Sequence, residues 1–260
     1  MEPYDILQFP TAREIVVDAG YLGTGRHIIH ALVEVDVTLA RQRLQELSSQ
    51  SNTRYSFTAF IVASLARAIN TNPRVQAYLD WRRRLVVFHD VDVVTMIEPK
   101  PGAVAIPHII RSANHKSVLD ISAEIRSIQS KPEGSQQHGK LIALAPRLPR
   151  FLRLFFFWIL KKNPFWFKRM EGTTVVTSIG MFGKGGGWGI GFLPTHTLGL
   201  TVGGIARKPG VYEEKVAIRE YLNLTVSFDH DIVDGAPAAR FTNRLVELLE
   251  TAAVLHSPDA

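Results

Sequence analysis

The sequence predicts an α/β domain in which helices pack against a mixed β-sheet. Residues 33–37 alternate apolar and polar side chains with a period of two, which is typical of a strand. Residues 56–70 place apolar side chains at helical spacing, which is typical of a helix facing a core. Strand and helix segments follow each other without a regular alternation, and this favours a mixed sheet over a barrel of eight repeats.

The first half of the chain contains several further segments of both kinds. Thr38 is placed to cap the helix after the first strand, and Ser117 is placed to form a capping box with Asp120. The helix over residues 56–70 ends before Pro73, because the residue before a proline disfavours helix. Further strands are predicted over residues 85–88, 91–97 and 103–110.

The second half of the chain contains a glycine-rich stretch. Eleven of the 19 glycines lie between Gly180 and Gly210. Their spacing matches neither a nucleotide-binding loop nor a nucleophile elbow, so we expect loops and close backbone approach instead. Strands are predicted over residues 173–178, 198–205 and 222–229, with a turn and an edge over residues 212–220.

The positive charge is concentrated in one segment. The formal net charge is +6, yet residues 135–170 hold eight basic residues and no acidic one, while the remainder is near neutral. No linker divides the chain, so we expect one domain over residues 1–260 that carries a basic aromatic insert at about 136–169. Nucleic-acid binding is disfavoured, because the basic residues are mixed with large aliphatic ones and no recognition motif accompanies them.

Three interpretations of this insert remain open. Residues 154–160 are all apolar, and a helix that is apolar all round is buried or contacts lipid. The segment could pack on the domain or on a neighbouring subunit. Residues 147–169 could instead lie on an anionic membrane surface. The third interpretation is a wall for a long acyl chain or a protein partner.

Composition also limits the chemistry and the location of the protein. Without cysteine there is no disulfide, no zinc–thiolate site and no cysteine nucleophile. The N-terminal residues lack the pattern of a signal peptide, so we expect a cytoplasmic protein, with membrane association through the insert as the alternative. His27 and His30 have loose metal-ligand spacing but no third ligand nearby, and no metal is expected.

The segment that follows the strand over residues 222–229 is the strongest candidate for a catalytic site. His230 stands at the strand end, and Asp234 with Gly235 turns the chain into an amphipathic helix. A histidine held between a buried strand and a helix is rigidly mounted for proton transfer. The same residues also fit a hydrogen-bonded loop, with Asp234 as a turn or capping residue.

Four motifs in order resemble the catalytic domain of 2-oxoacid dehydrogenase acyltransferase components. Residues 227–241 (SFDHDIVDGAPAARF) contain the H-x-x-x-D-G signature, which chloramphenicol acetyltransferase shares. Residues 172–183 (GTTVVTSIGMFG) are similar to the family's G-T-F-T-I-S-N-L-G-M-F-G. Residues 110–117 (IRSANHKS) and 35–38 (VDVT) resemble its two remaining motifs. The resemblance implies a chloramphenicol acetyltransferase-like two-layer sandwich.

The resemblance also implies a mechanism and an assembly. The family moves an acyl group between a thiol cofactor and a small-molecule acceptor, with coenzyme A as acyl-CoA substrate and a lipoyl group as a further carrier. The resemblance assigns the role of general base to His230 and the role of oxyanion donor to Thr177 or else Ser178. It also assigns Asp234 to an ion pair with Arg13 that fixes the loop carrying the histidine. The assembly implied by the resemblance is a homotrimer or a larger assembly of trimers, with the site between subunits.

The sequence departs from the family pattern at two residues and in its expected domain content. Threonine stands at position 177 where the family has serine, and Asp231 stands where arginine usually follows the histidine. We expect a stand-alone catalytic domain without lipoyl or subunit-binding domains, so a lipoyl group would be supplied in trans. The alternative is a non-catalytic trimeric scaffold or a membrane-surface binding module on the same fold.

Overall fold

The computed structural model describes residues 4–10, 13–51, 53–99, 105–135, 148–179 and 185–256 of the chain. Within these ranges the strands are β1 (Ile28–Asp36), β2 (Tyr78–Leu79), β3 (Leu85–Val86), β4 (Val93–Ile97), β5 (Ile106–Ile110), β6 (Thr174–Ser178), β7 (Leu198–Tyr212) and β8 (Lys215–Asp229). The α-helices are α1 (Arg13–Gly23), α2 (Thr38–Ser51), α3 (Phe57–Thr71), α4 (Val118–Ser130), α5 (Arg150–Lys162), α6 (Pro164–Glu171) and α7 (Gly235–Glu250). Among the described helices, none is long and apolar enough to cross a lipid bilayer.

A six-stranded mixed sheet has the strand order β1-β8-β7-β6-β4-β5. β6 runs parallel to both β4 and β7, and the other neighbouring strands are antiparallel. β7 and β8 form a long hairpin joined by Glu213 and Glu214, both at positive φ, which is the backbone of a two-residue type I′ turn. β2 and β3 form a separate small hairpin. The predicted α/β class with a mixed sheet is therefore confirmed.

One apolar core joins this sheet to helices α2, α3, α4 and α7. In β8 the apolar side chains of Leu222, Leu224, Val226 and Phe228 are fully buried. The polar side chains between them, at positions 223, 225, 227 and 229, are buried as well. The sequence pattern suggests one solvated face, whereas both faces of β8 are covered.

Most of the predicted elements are present, with shifted ends. Ser56 caps α3, and Ser117 and Asp120 form the predicted capping box of α4. The prediction for Thr38 is wrong, because its hydroxyl accepts from the Glu220 backbone N–H and donates to Asp36. The turn predicted within residues 212–220 is formed by Glu213 and Glu214, and residues 215–219 of β8 lie at an edge, because they pair with β7 but not with β1.

The described part of the insert forms the helix pair α5 and α6. The prediction of a helix over its apolar run is confirmed, while residues 136–147 lie outside the described ranges. A buried ion pair anchors α5 to α1: Arg153 Nε donates to Asp18 Oδ2 at 2.6 Å, and Asp18 is fully buried. This hydrogen bond raises the pKa of Arg153. One side of α5, with Arg153 and Leu160, is buried, and the opposite side is exposed.

Candidate active site

His230 lies immediately after β8, where the chain leaves the sheet. Its backbone N–H donates a 2.7 Å hydrogen bond to the carbonyl oxygen of His27. The N–H groups of Ile232 and Val233 donate to the carbonyl oxygen of Asp229 and close the turn. The His230 side chain is exposed and makes no hydrogen bond with the described residues. The backbone is therefore fixed while the imidazole stays open to a second molecule.

An arginine–aspartate pair holds the residue before His230. Arg26 Nε donates to Asp229 Oδ2 at 2.9 Å, and its Nη2 contacts the same oxygen. The two side chains are only 8% and 7% exposed. The Asp229 N–H also donates to the carbonyl oxygen of Thr197 at 2.9 Å. A buried pair of this kind serves positioning more than net stability.

Sequence reasoning did not identify Arg26 or Asp229. Asp229 stands on the polar face of an alternating strand, which the pattern places in solvent. Arg26 precedes β1 in a short link with no distinguishing spacing. The histidine motif next to Asp229 is the one signal that could have drawn attention to the pair.

The predicted ion pair between Arg13 and Asp234 is not formed in the single chain. Asp234 occupies the N-cap position of α7 without a side-chain capping bond, and both residues are exposed. The start of α1 faces α5 instead, since Glu14 accepts a 3.1 Å hydrogen bond from Arg153. The Arg26–Asp229 pair stands beside the histidine in its place.

Asp231 contacts a different histidine from the one predicted to be the base. Its Oδ1 lies 2.8 Å from Nδ1 of His27, in a well-exposed pair. His30 Nδ1 lies 2.8 Å from the Ser227 hydroxyl. Within the described ranges, no cluster of three or more histidine, aspartate or glutamate side chains could hold a metal ion.

Thr177 and Ser178 lie partly buried at the end of β6. Thr177 is in register with Thr201 of β7, whose Oγ1 accepts a 3.0 Å hydrogen bond from the Gly191 N–H. A Cβ at Gly191 would stand 3.1 Å from the Thr177 methyl group. The Thr177 hydroxyl makes no hydrogen bond with the described residues, so it remains available as a donor. The rest of this motif, residues 180–183, lies outside the described ranges.

A glycine pair in β7 allows the loop over residues 185–192 to lie against the sheet. The Gly204 N–H donates a 2.9 Å hydrogen bond to the Gly187 carbonyl oxygen. A Cβ at Gly203 would clash with that same oxygen, and a Cβ at Gly204 with the Gly185 carbonyl oxygen. The predicted close backbone approach is present at these positions.

The single chain does not bring His230 and Thr177 together. Thr177 is in register with Thr201, and Thr201 with Thr225 of β8. His230 lies five residues beyond Thr225 and two strands away from β6. Standard strand geometry puts this at about 16 Å along the sheet and about 10 Å across it. A base and an oxyanion donor that serve one carbonyl must lie within a few ångströms of it.

A cavity of about 100 Å³ lies between α1 and the insert helices. Its lining is mostly apolar but includes Glu171 and Lys161. Burial raises the pKa of Glu171 to about 7, and burial together with the nearby Arg26 lowers the pKa of Lys161. Buried His196, whose Nε2 lies 2.8 Å from the Glu171 carbonyl oxygen, has its pKa lowered by burial to about 4.

The fold, together with the turn after β8 that carries His230, defines an α/β sandwich of the chloramphenicol acetyltransferase type. The chain belongs to the family described as 2-oxoacid dehydrogenases acyltransferase (catalytic domain), whose model matches residues 27–138 and 167–257. The unmatched residues 139–166 fall within the insert.

Curated relatives align with most of the chain. The chain is 24% identical over 212 residues to the dihydrolipoyllysine-residue acetyltransferase component of the pyruvate dehydrogenase complex of Rickettsia felis, covering 81% of the chain and 44% of the relative. The corresponding protein of Zymomonas mobilis is 24% identical over 230 residues, covering 86% of the chain and 45% of the relative. The chain thus spans less than half the length of these relatives.

Solved structures show the same fold. A probable dihydrolipoamide acetyltransferase from Listeria monocytogenes aligns with a TM-score of 0.70 at 20% identity, over 96% of both chains. The cubic core of a pyruvate dehydrogenase multienzyme complex aligns at 0.71 and 20% identity, over 98% of this chain and 96% of that one. A chloramphenicol acetyltransferase aligns at 0.53 and 16% identity, over 95% and 98%.

Proposed function

We propose that the chain is a coenzyme-A-dependent acyltransferase whose active site forms between subunits. The observation that carries this proposal is the placement of His230. Its backbone is fixed by hydrogen bonds, its imidazole is open, and the family signature surrounds it. The acceptor is a thiol, hydroxyl or amine, and for a thiol the carrier is a lipoyl group supplied in trans.

His230 acts as the general base in this proposal. It takes the proton from the attacking thiol and returns it to the departing thiolate, so no proton is lost over the cycle. A neutral imidazole, with an ordinary pKa of about 6.5, suits a thiol of pKa about 8.5 near neutral pH. Coenzyme A supplies the thioester that is exchanged, and no covalent bond to the protein forms. The buried Arg26–Asp229 pair keeps the strand end, and hence the imidazole, in place.

Thr177 donates its hydroxyl to the oxyanion that forms on the attacked carbonyl, with Ser178 as the second candidate. Because Thr177 lies far from His230 within one chain, the hydroxyl that serves a given His230 comes from a neighbouring copy. The assembly is therefore proposed to be a homotrimer, or a larger assembly of trimers, in which each interface holds one site.

Acetyl-CoA consumption in the presence of dihydrolipoamide tests the proposal directly. We expect His230→Ala to lower the rate by about 10²- to 10⁴-fold, the usual contribution of a general base. His89→Ala is the matched control, because His89 is an exposed histidine outside the site. Equal consumption by wild type and His230→Ala would remove His230 from the base role.

A non-catalytic scaffold is the second candidate, and threonine at position 177 is the observation that favours it. The methyl group of Thr177 narrows the site relative to serine. Asp231 supports this candidate less than the sequence suggests, because its carboxylate contacts His27. A wild-type protein that assembles normally but consumes none of the acyl-CoA substrates offered, with thiol, hydroxyl or amine acceptors, would favour the scaffold.

A further inference from the structure

Helix α5 turns one arginine inward and several large aromatic side chains outward. Arg153 is 7% exposed and is hydrogen-bonded to Asp18 and Glu14 of α1. On the opposite side, Phe151, Phe155 and Trp158 are 69%, 59% and 53% exposed. Ordinary surface helices bury their large apolar side chains and expose their charged ones.

The outward residues of α5 form a continuous stripe. Phe151, Phe155, Trp158 and Lys162 stand at positions i, i+4, i+7 and i+11, which lie on one face of a helix. The Phe155 and Trp158 rings stack with centroids 6.2 Å apart. Helix α6 follows α5 directly and carries two further exposed rings, Phe165 and Trp166, at 65% and 55% exposed.

Basic residues of the same two helices are exposed as well. Lys162 and Arg169 are exposed and form no ion pair with the residues that the structure describes. Glu171 is the one carboxylate within the two helices. It lines the cavity beneath them rather than the outer surface. The outer surface is therefore aromatic and positively charged.

We infer that the outer surface of α5 and α6 binds the interface of an anionic lipid bilayer. Tryptophan and phenylalanine side chains are favoured at the boundary between headgroups and acyl chains, and lysine and arginine are attracted to anionic headgroups. The 13 residues of α5 extend about 20 Å, less than the roughly 30 Å of a bilayer core. The helix therefore lies along the surface.

The charge pattern favours lipid over a second copy of the chain. A contact between two copies through this surface would bring two positively charged surfaces together. The family model does not match residues 139–166, so the contacts that family members share do not account for the surface of α5. This inference does not depend on acyl transfer, since it involves neither His230 nor Thr177.

Flotation of the full chain with phosphatidylcholine vesicles, with and without phosphatidylglycerol, tests the inference. We expect binding only to the anionic vesicles and a marked loss at high salt, where screening shortens the range of electrostatic attraction. Trp158→Ser should lower the partition coefficient roughly tenfold, because a large apolar side chain is lost from the interface. Lys162→Glu should lower it at least about fivefold.

Two matched control variants distinguish binding through this surface from nonspecific adsorption to the vesicles. Trp81→Ser removes another exposed tryptophan, and Lys215→Glu reverses another exposed lysine without an ion pair among the described residues; both should bind like wild type. Failure of the wild type to bind anionic vesicles, or equal losses in control and test variants, would overturn the inference. A change in oligomeric mass in Trp158→Ser with unchanged vesicle binding would assign the surface to contacts between copies and overturn it as well.

Discussion

The hydroxyl group of Thr177 is the most specific chemical element of the proposed site at the scale of single residues. It is partly buried, it makes no hydrogen bond with the described residues, and its methyl group faces the Gly191 backbone. A hydroxyl without a structural partner is available to a transient oxyanion, whereas one that stabilises the strand would be occupied.

Replacing Thr177 by valine removes this hydroxyl and keeps the shape of the side chain. We expect kcat to fall by about 10²- to 10³-fold, the usual cost of losing one oxyanion donor. Thr177→Ser should retain activity, because it keeps the donor and removes only the methyl group. Steady-state kinetics with acetyl-CoA and dihydrolipoamide provide the measurement. If Thr177→Val is as active as wild type while Ser178→Ala is impaired, the donor is Ser178.

Glu171 affects stability in a direction set by its raised pKa. Its carboxyl titrates near pH 4.5 when unfolded and at about 7 in the cavity. Between these values the folded state holds the proton that the unfolded state has released, so the free energy of unfolding decreases as pH rises. Above about pH 7 both states are ionised and the loss is complete.

Glu171→Gln should therefore stabilise the protein more at pH 8 than at pH 4.5. Because the side chain retains some solvent contact, we expect a gain of about 1–2 kcal/mol at pH 8. Urea unfolding at both pH values measures the difference. A pH-independent effect of the substitution would show that the carboxyl is not shifted upward by burial. His196 contributes the opposite trend in wild type and variant alike, since its lowered pKa causes stability to be lost as pH falls from about 6.5 to 4.

At the scale of elements, α5 shows where sequence patterns mislead. A run of apolar residues from 154 to 160 indicates a helix but does not show which side is buried. The buried Asp18 of α1 determines the side, because Arg153 must face it. A carboxylate 135 positions away in the chain is not visible in the local pattern.

The Asp18–Arg153 pair should be the main anchor of the insert. Asp18→Ala leaves the inward guanidinium without its closest partner, so we expect the Tm to fall by about 5 °C or more. Glu14→Ala is the matched control: Glu14 contacts the same arginine but is 39% exposed, and its loss should have little effect. Thermal unfolding by circular dichroism compares the two. Equal changes in Tm would show that the buried pair does not anchor α5.

β8 shows both the reach and the limit of sequence reasoning. Its period-two pattern correctly predicts a strand that carries His230 at its end. The pattern does not reveal that Asn223, Thr225, Ser227 and Asp229 are buried too, because burial of a polar face depends on partners from other elements. Arg26 is one such partner, and it was therefore missed.

At the scale of the whole molecule, the sequence motifs predicted the fold class and the family. The strand order, and with it the separation between His230 and Thr177, could be found only from the structure. The resemblance to the family assigns His230 and Thr177 to one proposed reaction. Strand order places them two strands apart, and a single chain cannot join them. The central claim is therefore that acyl transfer requires His230 and Thr177 from different copies.

Subunit complementation tests that claim most directly. His230→Ala and Thr177→Val chains are each expected to be nearly inactive, so they are co-expressed in equal amounts and their assembly mass is verified. If each site takes its histidine and its hydroxyl from different copies, random mixing restores about a quarter of the wild-type rate of acetyl-CoA consumption. An assembly made only of chains that carry both substitutions is the control and should stay inactive. Mixed assemblies of normal mass that remain as inactive as the separate variants would contradict the claim.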